Sequence, residues 1–227
     1  MILVIRGHIR NSFENKDLFH FIKEIQNIFP DLKIFIHTWN ILANNISWRP
    51  IGENNTNVNA ELIYNYFDDL KSCIQHLIID DDKNIELIGN LNGNINNGPM
   101  PIIGWKNYLY GKYKIMDYIF NENKYDNEMI VNTRFDILNN SNNFTENMLI
   151  EFIKQNIGGQ FTKNKFLFND EVHNGIDNIY IGNINTQYKL TKTFYYELDD
   201  ILSKNRDVIC QERLVYRIND ILFDSLD

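Results

Sequence analysis

Cysteine and positive charge are both scarce in this sequence. The two cysteines, Cys73 and Cys210, lie far apart and form no CxxC pattern, which excludes a disulfide framework and a cysteine-based zinc site. The 22 basic residues are outnumbered by 30 acidic ones, and the net charge is −8. That charge opposes non-specific binding to nucleic acid or to an anionic membrane, because both need a positive field at the contact. We therefore expect no nucleic-acid partner and reduced, cytoplasmic thiols.

Long apolar runs and common nucleotide motifs are missing as well. No stretch approaches the roughly 20 apolar residues of a membrane span, and the first apolar run ends at Arg6, too early for a signal peptide. We expect a cytoplasmic protein with no transmembrane segment, although it can act peripherally on a membrane-bound partner. No GxGxxG or GxxxxGK[ST] motif occurs, so dinucleotide-binding and P-loop interpretations lose their main support.

Hydrophobic periodicity predicts the fold. Hydrophobic residues make up 44% of the 227 residues, enough to bury the core of one domain spanning 1–227. Short β-branched runs alternate with segments whose apolar residues recur every three or four positions, which predicts a single-domain α/β fold with a mainly parallel, twisted sheet flanked by helices. Strands are predicted at 2–5, 33–37, 74–79, 128–132, 166–168 and 178–181, and helices at 18–29, 59–70, 105–120, 146–156, 186–202 and 208–223.

The segment after the first predicted strand is the first candidate site. Gly7 permits a tight turn, and Arg6 and Arg10 can each direct a forked guanidinium at phosphate oxygens, with His8 between them. In open parallel sheets, ligands bind beyond the carboxyl ends of the strands, and this segment is expected there. We predict that it holds a nucleotide diphosphate. The alternative is a loop whose arginines are solvated or paired with surface carboxylates.

Aromatic residues follow the second predicted strand. His37 and Trp39 lie at its end, and Trp48 and Arg49 follow in a long polar segment, predicted to be a loop over 38–59. Tryptophan faces stack on bases and sugar rings, and His37 and Arg49 add hydrogen-bond donors, so these residues are predicted to bind the ligand. The alternative is that both tryptophans anchor the loop to the core.

A charged pair follows the strand predicted at 128–132. Residues two apart face alike in extended backbone, so Arg134 and Asp136 are expected to reach one site. Asp136 is the best candidate ligand for Mg²⁺ or Mn²⁺, because a cation that bridges a diphosphate needs only one or two protein carboxylates. A local Arg–Asp surface pair is the alternative. The acidic run 80–82 is the rival metal site, or else a solvated turn.

A carboxylate-rich segment over 169–178 supplies candidates for acid–base work. Asp170, Glu171 and Asp177 can each orient or deprotonate an acceptor hydroxyl, and His173 can do the same or complete a metal shell. Asp177 precedes a predicted strand in an apolar context and is the favoured catalytic residue, with His173 beside it. The alternative is that these carboxylates are solvated surface groups.

In their order along the chain, four of these segments resemble small uncharacterised glycosyltransferase-like proteins of bacterial capsule and lipopolysaccharide clusters. The segments are Arg-Gly-His-Ile-Arg at 6–10, Phe-Ile-His-Thr-Trp at 35–39, the stretch 129–136 that ends in Arg-Phe-Asp, and Ile-Asp-Asn-Ile-Tyr-Ile-Gly at 176–182. The resemblance covers most of the chain. It implies a GT-A-like fold, a nucleotide-sugar donor, a glycan or lipid-linked glycan acceptor and a divalent cation.

The resemblance also assigns roles to residues, with one departure. The family pattern has an Asp-x-Asp at the end of the middle strand, and here the matching position is Arg134-Phe135-Asp136. Either Asp136 alone holds the cation, or Arg134 supplies the positive charge that the cation would give. Arg6, Arg10 and Arg134 would stabilise the departing nucleoside diphosphate, and Asp177 or His173 would serve the acceptor.

Two other interpretations stay open. One is a nucleotidyl- or phospho-sugar transferase on the same sheet, which would use the same arginines and release pyrophosphate. The other is a catalytically inactive carbohydrate- or partner-binding protein, which the missing first aspartate of the pattern favours.

Overall fold

The computed structural model describes residues 1–46, 52–139, 144–168 and 176–224. Its strands are β1 Ile2–Arg6, β2 Lys33–Trp39, β3 Ile41–Ala43, β4 Asn54–Asn57, β5 Ile74–Asp80, β6 Ile130–Arg134, β7 Lys165–Phe166 and β8 Ile179–Gly182. Its helices are α1 Asp17–Ile28, α2 Ala60–Phe67, α3 Ile102–Asn121, α4 Glu146–Lys154, α5 Ile184–Lys204 and α6 Gln211–Asp224.

Six strands form one sheet in the order β5-β2-β1-β6-β8-β7. The four strands β5, β2, β1 and β6 are parallel, whereas β8 and β7 add an antiparallel edge. This sheet confirms the predicted α/β fold with a mainly parallel sheet and flanking helices. β1 lies at the centre with all five of its residues buried, as expected for a strand that is covered on both faces.

Helices cover the two faces of the sheet with two separate apolar cores. On one face, α1, α2 and α4 pack against the strands through residues such as Phe21, Ile63 and Leu149. On the other face, Ile115 and Met116 of α3 pack against β1, β2 and β6, while α5 and α6 enlarge the core beside α3. Alternate residues of each central strand therefore face different helices, which decides which side chains reach α3.

The predicted loop over 38–59 is wrong in part. β2 continues to Trp39, and β3 pairs with β4 as a separate antiparallel ribbon. All four residues of β4 are exposed and polar, so the sequence carries no apolar alternation that would reveal this strand. Among the described residues, no helix combines the length and apolar character needed to cross a membrane.

Candidate functional site

A cleft with a cavity volume of about 80 Å³, partly open to solvent, lies at the carboxyl ends of β1, β2 and β6. The sheet is built outward from β1, with β2 on one side and β6 on the other, so the cleft lies where ligands bind in open parallel sheets. The cleft is lined by Asp136 and by every residue predicted to bind the donor that falls in the described part of the chain. These residues are Arg6, Gly7, His8, Arg10, His37, Trp39, Arg134 and Asp136.

Strand register brings three of these side chains into one row. His37 of β2 and Arg134 of β6 lie directly opposite Arg6 of β1. Side chains paired in this way point to the same face of the sheet, and here that face is covered by α3. Neighbouring strands are about 4.8 Å apart, so the two guanidinium groups approach each other and need nearby anions to offset their repulsion.

Arg6 is buried, with 1% of its surface exposed. Its Nε donates to Asn132 Oδ1 at 2.8 Å, and its Nη2 donates to the Asp177 carbonyl oxygen at 2.7 Å. The remaining nitrogen, Nη1, has no hydrogen-bond partner although it is buried. An unsatisfied charged donor is costly, so this nitrogen is ready to receive an acceptor from a ligand in the cleft.

Asp136 holds two arginines in the cleft. Arg134 donates to both of its carboxylate oxygens, from Nε at 2.7 Å and from Nη2 at 2.6 Å. Arg10 Nη1 adds a third contact at 2.5 Å. Burial alone would raise the pKa of Asp136, but the two guanidinium groups outweigh it and hold the pKa well below its usual range. Asp136 is therefore a fixed anion that positions both arginines.

This geometry does not fit the predicted role of Asp136 as a metal ligand. A cation would have to displace Arg134 from both carboxylate oxygens and Arg10 from one of them. Within the described ranges, no group of three or more histidine, cysteine, aspartate or glutamate side chains is placed to hold a metal ion. The alternative of an Arg–Asp pair describes the contact better, except that the pair is buried and not on the surface.

The rival metal site at 80–82 does not form a cluster either. Asp80 accepts from Tyr110 Oη at 3.0 Å and lies 3.2 Å from His37 Nε2. Asp82 accepts from Asn44 Nδ2 at 2.6 Å, whereas Asp81 accepts from the Lys83 backbone nitrogen at 3.0 Å in a turn. The three carboxylates thus have separate partners.

Asp177 lies behind the cleft and does not line it. Its surface is 1% exposed, and its Oδ2 is 3.3 Å from Lys112 Nζ. Burial raises its pKa, but Lys112 and Arg6 outweigh that effect and keep the pKa below the usual value. A buried carboxylate that pairs with Lys112 and lies outside the lining of the cleft does not fit the predicted role of a base for an acceptor hydroxyl. Asp177 instead fixes Arg6 and Lys112.

One aromatic ring connects the cations of the site. The Tyr108 ring of α3 has Lys112 Nζ at 4.4 Å, Arg6 Cζ at 4.7 Å and Arg134 Cζ at 6.0 Å from its centroid. Burial, followed by the charge of Arg6, lowers the pKa of Lys112 to about 7. The site therefore holds more positive charge than its own carboxylates neutralise, which favours an anionic ligand.

The aromatic side chain of Trp39 on the cleft wall is largely buried in the core. Trp39 is only 2% exposed and packs against His8, His37 and Tyr110. Trp39 therefore anchors its segment to the core, as the alternative interpretation predicted, although it also lines the cleft. Burial lowers the pKa of His8 to about 3, so its ring is neutral at physiological pH.

Tyr108 and Glu212 are among the cleft residues that the sequence did not reveal. Tyr108 lies four residues before Lys112, and a lysine on the apolar face of a predicted helix was a signal that could have identified this pair. Glu212 lines the cleft from the start of α6, and its Oε2 accepts from Cys210 Sγ at 2.9 Å. Burial, reinforced by Asp177, raises the pKa of Glu212. Nothing in the local sequence distinguishes Glu212 from a solvated helix residue.

The remaining predicted site residues are not located. Arg49 and His173 lie outside the described residues, together with Trp48, Asp170 and Glu171. Their predicted roles stay predictions.

No protein-family model matches this chain, and no curated protein matches it. Its fold is similar to that of two solved structures of LgtC, each aligned over 98% of this chain and 70% of the other with a TM-score of 0.40. One is an active-site mutant of LgtC at 11% identity, and the other is the galactosyltransferase LgtC with donor and acceptor sugar analogs at 12% identity. Similarity at this TM-score and identity does not indicate a function for this chain.

Proposed function

We propose that this protein is a glycosyltransferase that takes a sugar from a nucleotide-sugar donor and transfers it to a hydroxyl of a surface glycan, of the capsule or lipopolysaccharide type. The observation that carries the proposal is the cation-rich cleft at the carboxyl ends of β1, β2 and β6, in which the buried Arg6 keeps one nitrogen without an acceptor.

The donor phosphates are proposed to lie against Arg6, Arg10 and Arg134. When the bond between the sugar C1 and the phosphate oxygen breaks, its electron pair goes to that oxygen, and the new negative charge develops on the leaving group. Guanidinium groups already fixed by Asp136 and Asp177 stabilise this charge without reorganising, which is the main way a polar site accelerates such a step.

The acceptor side of the proposed reaction needs a base. Of the two carboxylates that line the described part of the cleft, Asp136 is ionised and occupied by arginines, whereas Glu212 has a raised pKa and only a thiol donor on Oε2. We assign the base to Glu212 in place of Asp177. The acceptor oxygen forms the new bond to C1, its proton passes to Glu212, and the nucleoside diphosphate departs.

Product analysis tests the proposal. The purified chain is incubated with UDP-, GDP- and CDP-linked sugars and with CMP-linked sugars, each with glycan and lipid-linked glycan acceptors, and the nucleotide product and the acceptor mass are measured. Release of a nucleoside phosphate together with a glycosylated acceptor supports the proposal. Release of pyrophosphate would instead indicate a nucleotidyltransferase, and donor binding without any turnover would indicate an inactive binding protein.

A further inference from the structure

The described residues place three guanidinium groups and a buried lysine around the cleft where the resemblance implies a cation. We infer that the cleft binds the diphosphate of a donor through its arginines alone, with no divalent cation. This inference rests on the proposed function and specifies how that function's donor site works.

The only carboxylate of the Arg-Phe-Asp segment already accepts hydrogen bonds from arginines. Both oxygens of Asp136 accept from Arg134, and one also accepts from Arg10. With 5% of its side chain exposed, this carboxylate offers no free oxygen toward the cleft. A bridging cation takes one or two such oxygens, and the described part of the chain places no group of three or more histidine, cysteine, aspartate or glutamate side chains to hold one.

The cationic donor Arg6 is already held in position and desolvated. Only 1% of the surface of Arg6 is exposed, and both N–H groups of its Nη1 lack an acceptor. His8 Nε2 and Asn107 Oδ1, which also line the cleft, are buried without partners. These groups belong to residues that line the cleft, so a ligand gains contacts there that the protein does not already provide.

Positive charge surrounds the Tyr108 ring. Lys112, Arg6 and Arg134 all lie within 6.0 Å of its centroid, whereas Asp177 is the acid that contacts the lysine. Burial, followed by the charge of Arg6, depresses the pKa of Lys112. A diphosphate relieves this repulsion directly. A diphosphate already neutralised by a divalent cation would relieve less of it.

Binding of unmodified nucleotides tests the inference. Isothermal titration with UDP, GDP, CDP and inorganic pyrophosphate is carried out on the native chain in excess EDTA and again with Mn²⁺ or Mg²⁺. We expect at least one nucleoside diphosphate to bind in EDTA, with a dissociation constant that changes less than about threefold when the cation is added. Binding that appears only with the cation overturns the inference and leaves the proposed function standing. Absence of binding in both conditions overturns both.

The Asp136→Asn protein separates the two modes of binding independently. If Asp136 holds a cation, the substitution weakens diphosphate binding by an order of magnitude or more with Mn²⁺ present and leaves binding in EDTA within about threefold. If Asp136 instead neutralises and positions Arg10 and Arg134, the substitution changes the dissociation constant by the same factor in EDTA and with Mn²⁺. Circular dichroism checks that this variant is folded. If it is not, the titrations of the native chain in EDTA decide alone.

Discussion

At the scale of single residues, the site is a set of buried charges that compensate one another. Asp136 pairs with Arg10 and Arg134, and Asp177 pairs with Lys112 while its carbonyl oxygen accepts from Arg6. Desolvating these groups is costly, and the pairs recover the cost only while both partners are present. Each carboxylate therefore contributes to stability as well as to the positions of the cations.

Replacing Asp136 by Asn is expected to destabilise the protein by about 2–4 kcal/mol near neutral pH, because two guanidinium groups lose their counter-ion. The folded-state pKa of Asp136 is depressed, so its stabilising effect is fully present above the unfolded pKa of 3.8 and is lost as the pH falls toward the folded value. The gap in unfolding free energy between native and variant should narrow below about pH 4. Urea denaturation at several pH values measures it, and a gap that stays constant with pH would contradict this account.

Replacing Glu212 by Gln tests the proposed base. We expect kcat to fall by about 100-fold or more while the donor dissociation constant stays within about twofold, because the amide cannot accept the acceptor proton. The raised pKa of Glu212 predicts a native rate that increases as the pH rises through that pKa. The variant should lose this acid limb in its pH–rate profile. An unchanged limb would assign the base to another residue.

The sequence was informative about which residues reach the site and less so about what they touch. The rule that ligands bind at the carboxyl ends of parallel strands identified Arg6, His37 and Arg134, because the strands themselves were evident. The second partner of Asp136 was not evident, since Arg10 lies 126 residues earlier. Glu212 enters the cleft only through the packing of α6, which local periodicity does not reveal.

At the scale of elements, α3 covers the side chains at the carboxyl ends of β1, β2 and β6. It approaches β2 so closely that a Cβ on Gly111 would lie 2.6 Å from Nδ1 of the buried His37. His37 is in turn held by Asp80 at the end of β5. The absence of a side chain at Gly111 therefore lets the helix pack onto the end of the sheet.

Replacing Gly111 by Ala is expected to lower the free energy of unfolding by about 1–3 kcal/mol, since the overpacking outweighs the better helix propensity of alanine. The matched control is Gly52→Ala, where a Cβ would meet nothing within 4 Å. Thermal unfolding of both variants gives the comparison. Equal stability of the two proteins would show that α3 can shift without cost.

Element prediction succeeded where periodicity was strong and failed where tertiary pairing decides. β1 and α1 were predicted within a residue or two because buried runs and one-sided apolar spacing define them. The antiparallel direction of β8 could not be predicted, because short apolar strands look alike in either direction. The ribbon of β3 and β4 has too few apolar residues to produce a pattern.

At the scale of the whole molecule, the charge is uneven. The chain carries a net charge of −8, yet the cleft is lined by Arg6, Arg10 and Arg134, with Lys112 behind it beside Asp177. A local positive field inside a negative molecule suits a small anion and repels a polyanion.

We therefore expect the protein to leave oligonucleotides unbound. A fluorescent single-stranded DNA should show no saturable change in anisotropy at protein concentrations up to about 100 µM, the weak end of ordinary non-specific binding. A nucleoside diphosphate should bind under the same buffer conditions. Tight oligonucleotide binding would place the function in a different class.

The central claim is that the cleft is a nucleotide-sugar donor site, and thermal unfolding with added UDP, GDP, CDP or CMP tests it most directly. One nucleotide at about 100 times its dissociation constant should add roughly 2.7 kcal/mol of stability. The Arg134→Gln protein should lose this gain, while Lys154→Gln, which removes an exposed charge on α4 at the opposite face of the sheet, should keep it. Stabilisation that depends on Arg134 is the predicted result. No stabilisation by any of the nucleotides, or an equal gain in all three proteins, would contradict the claim.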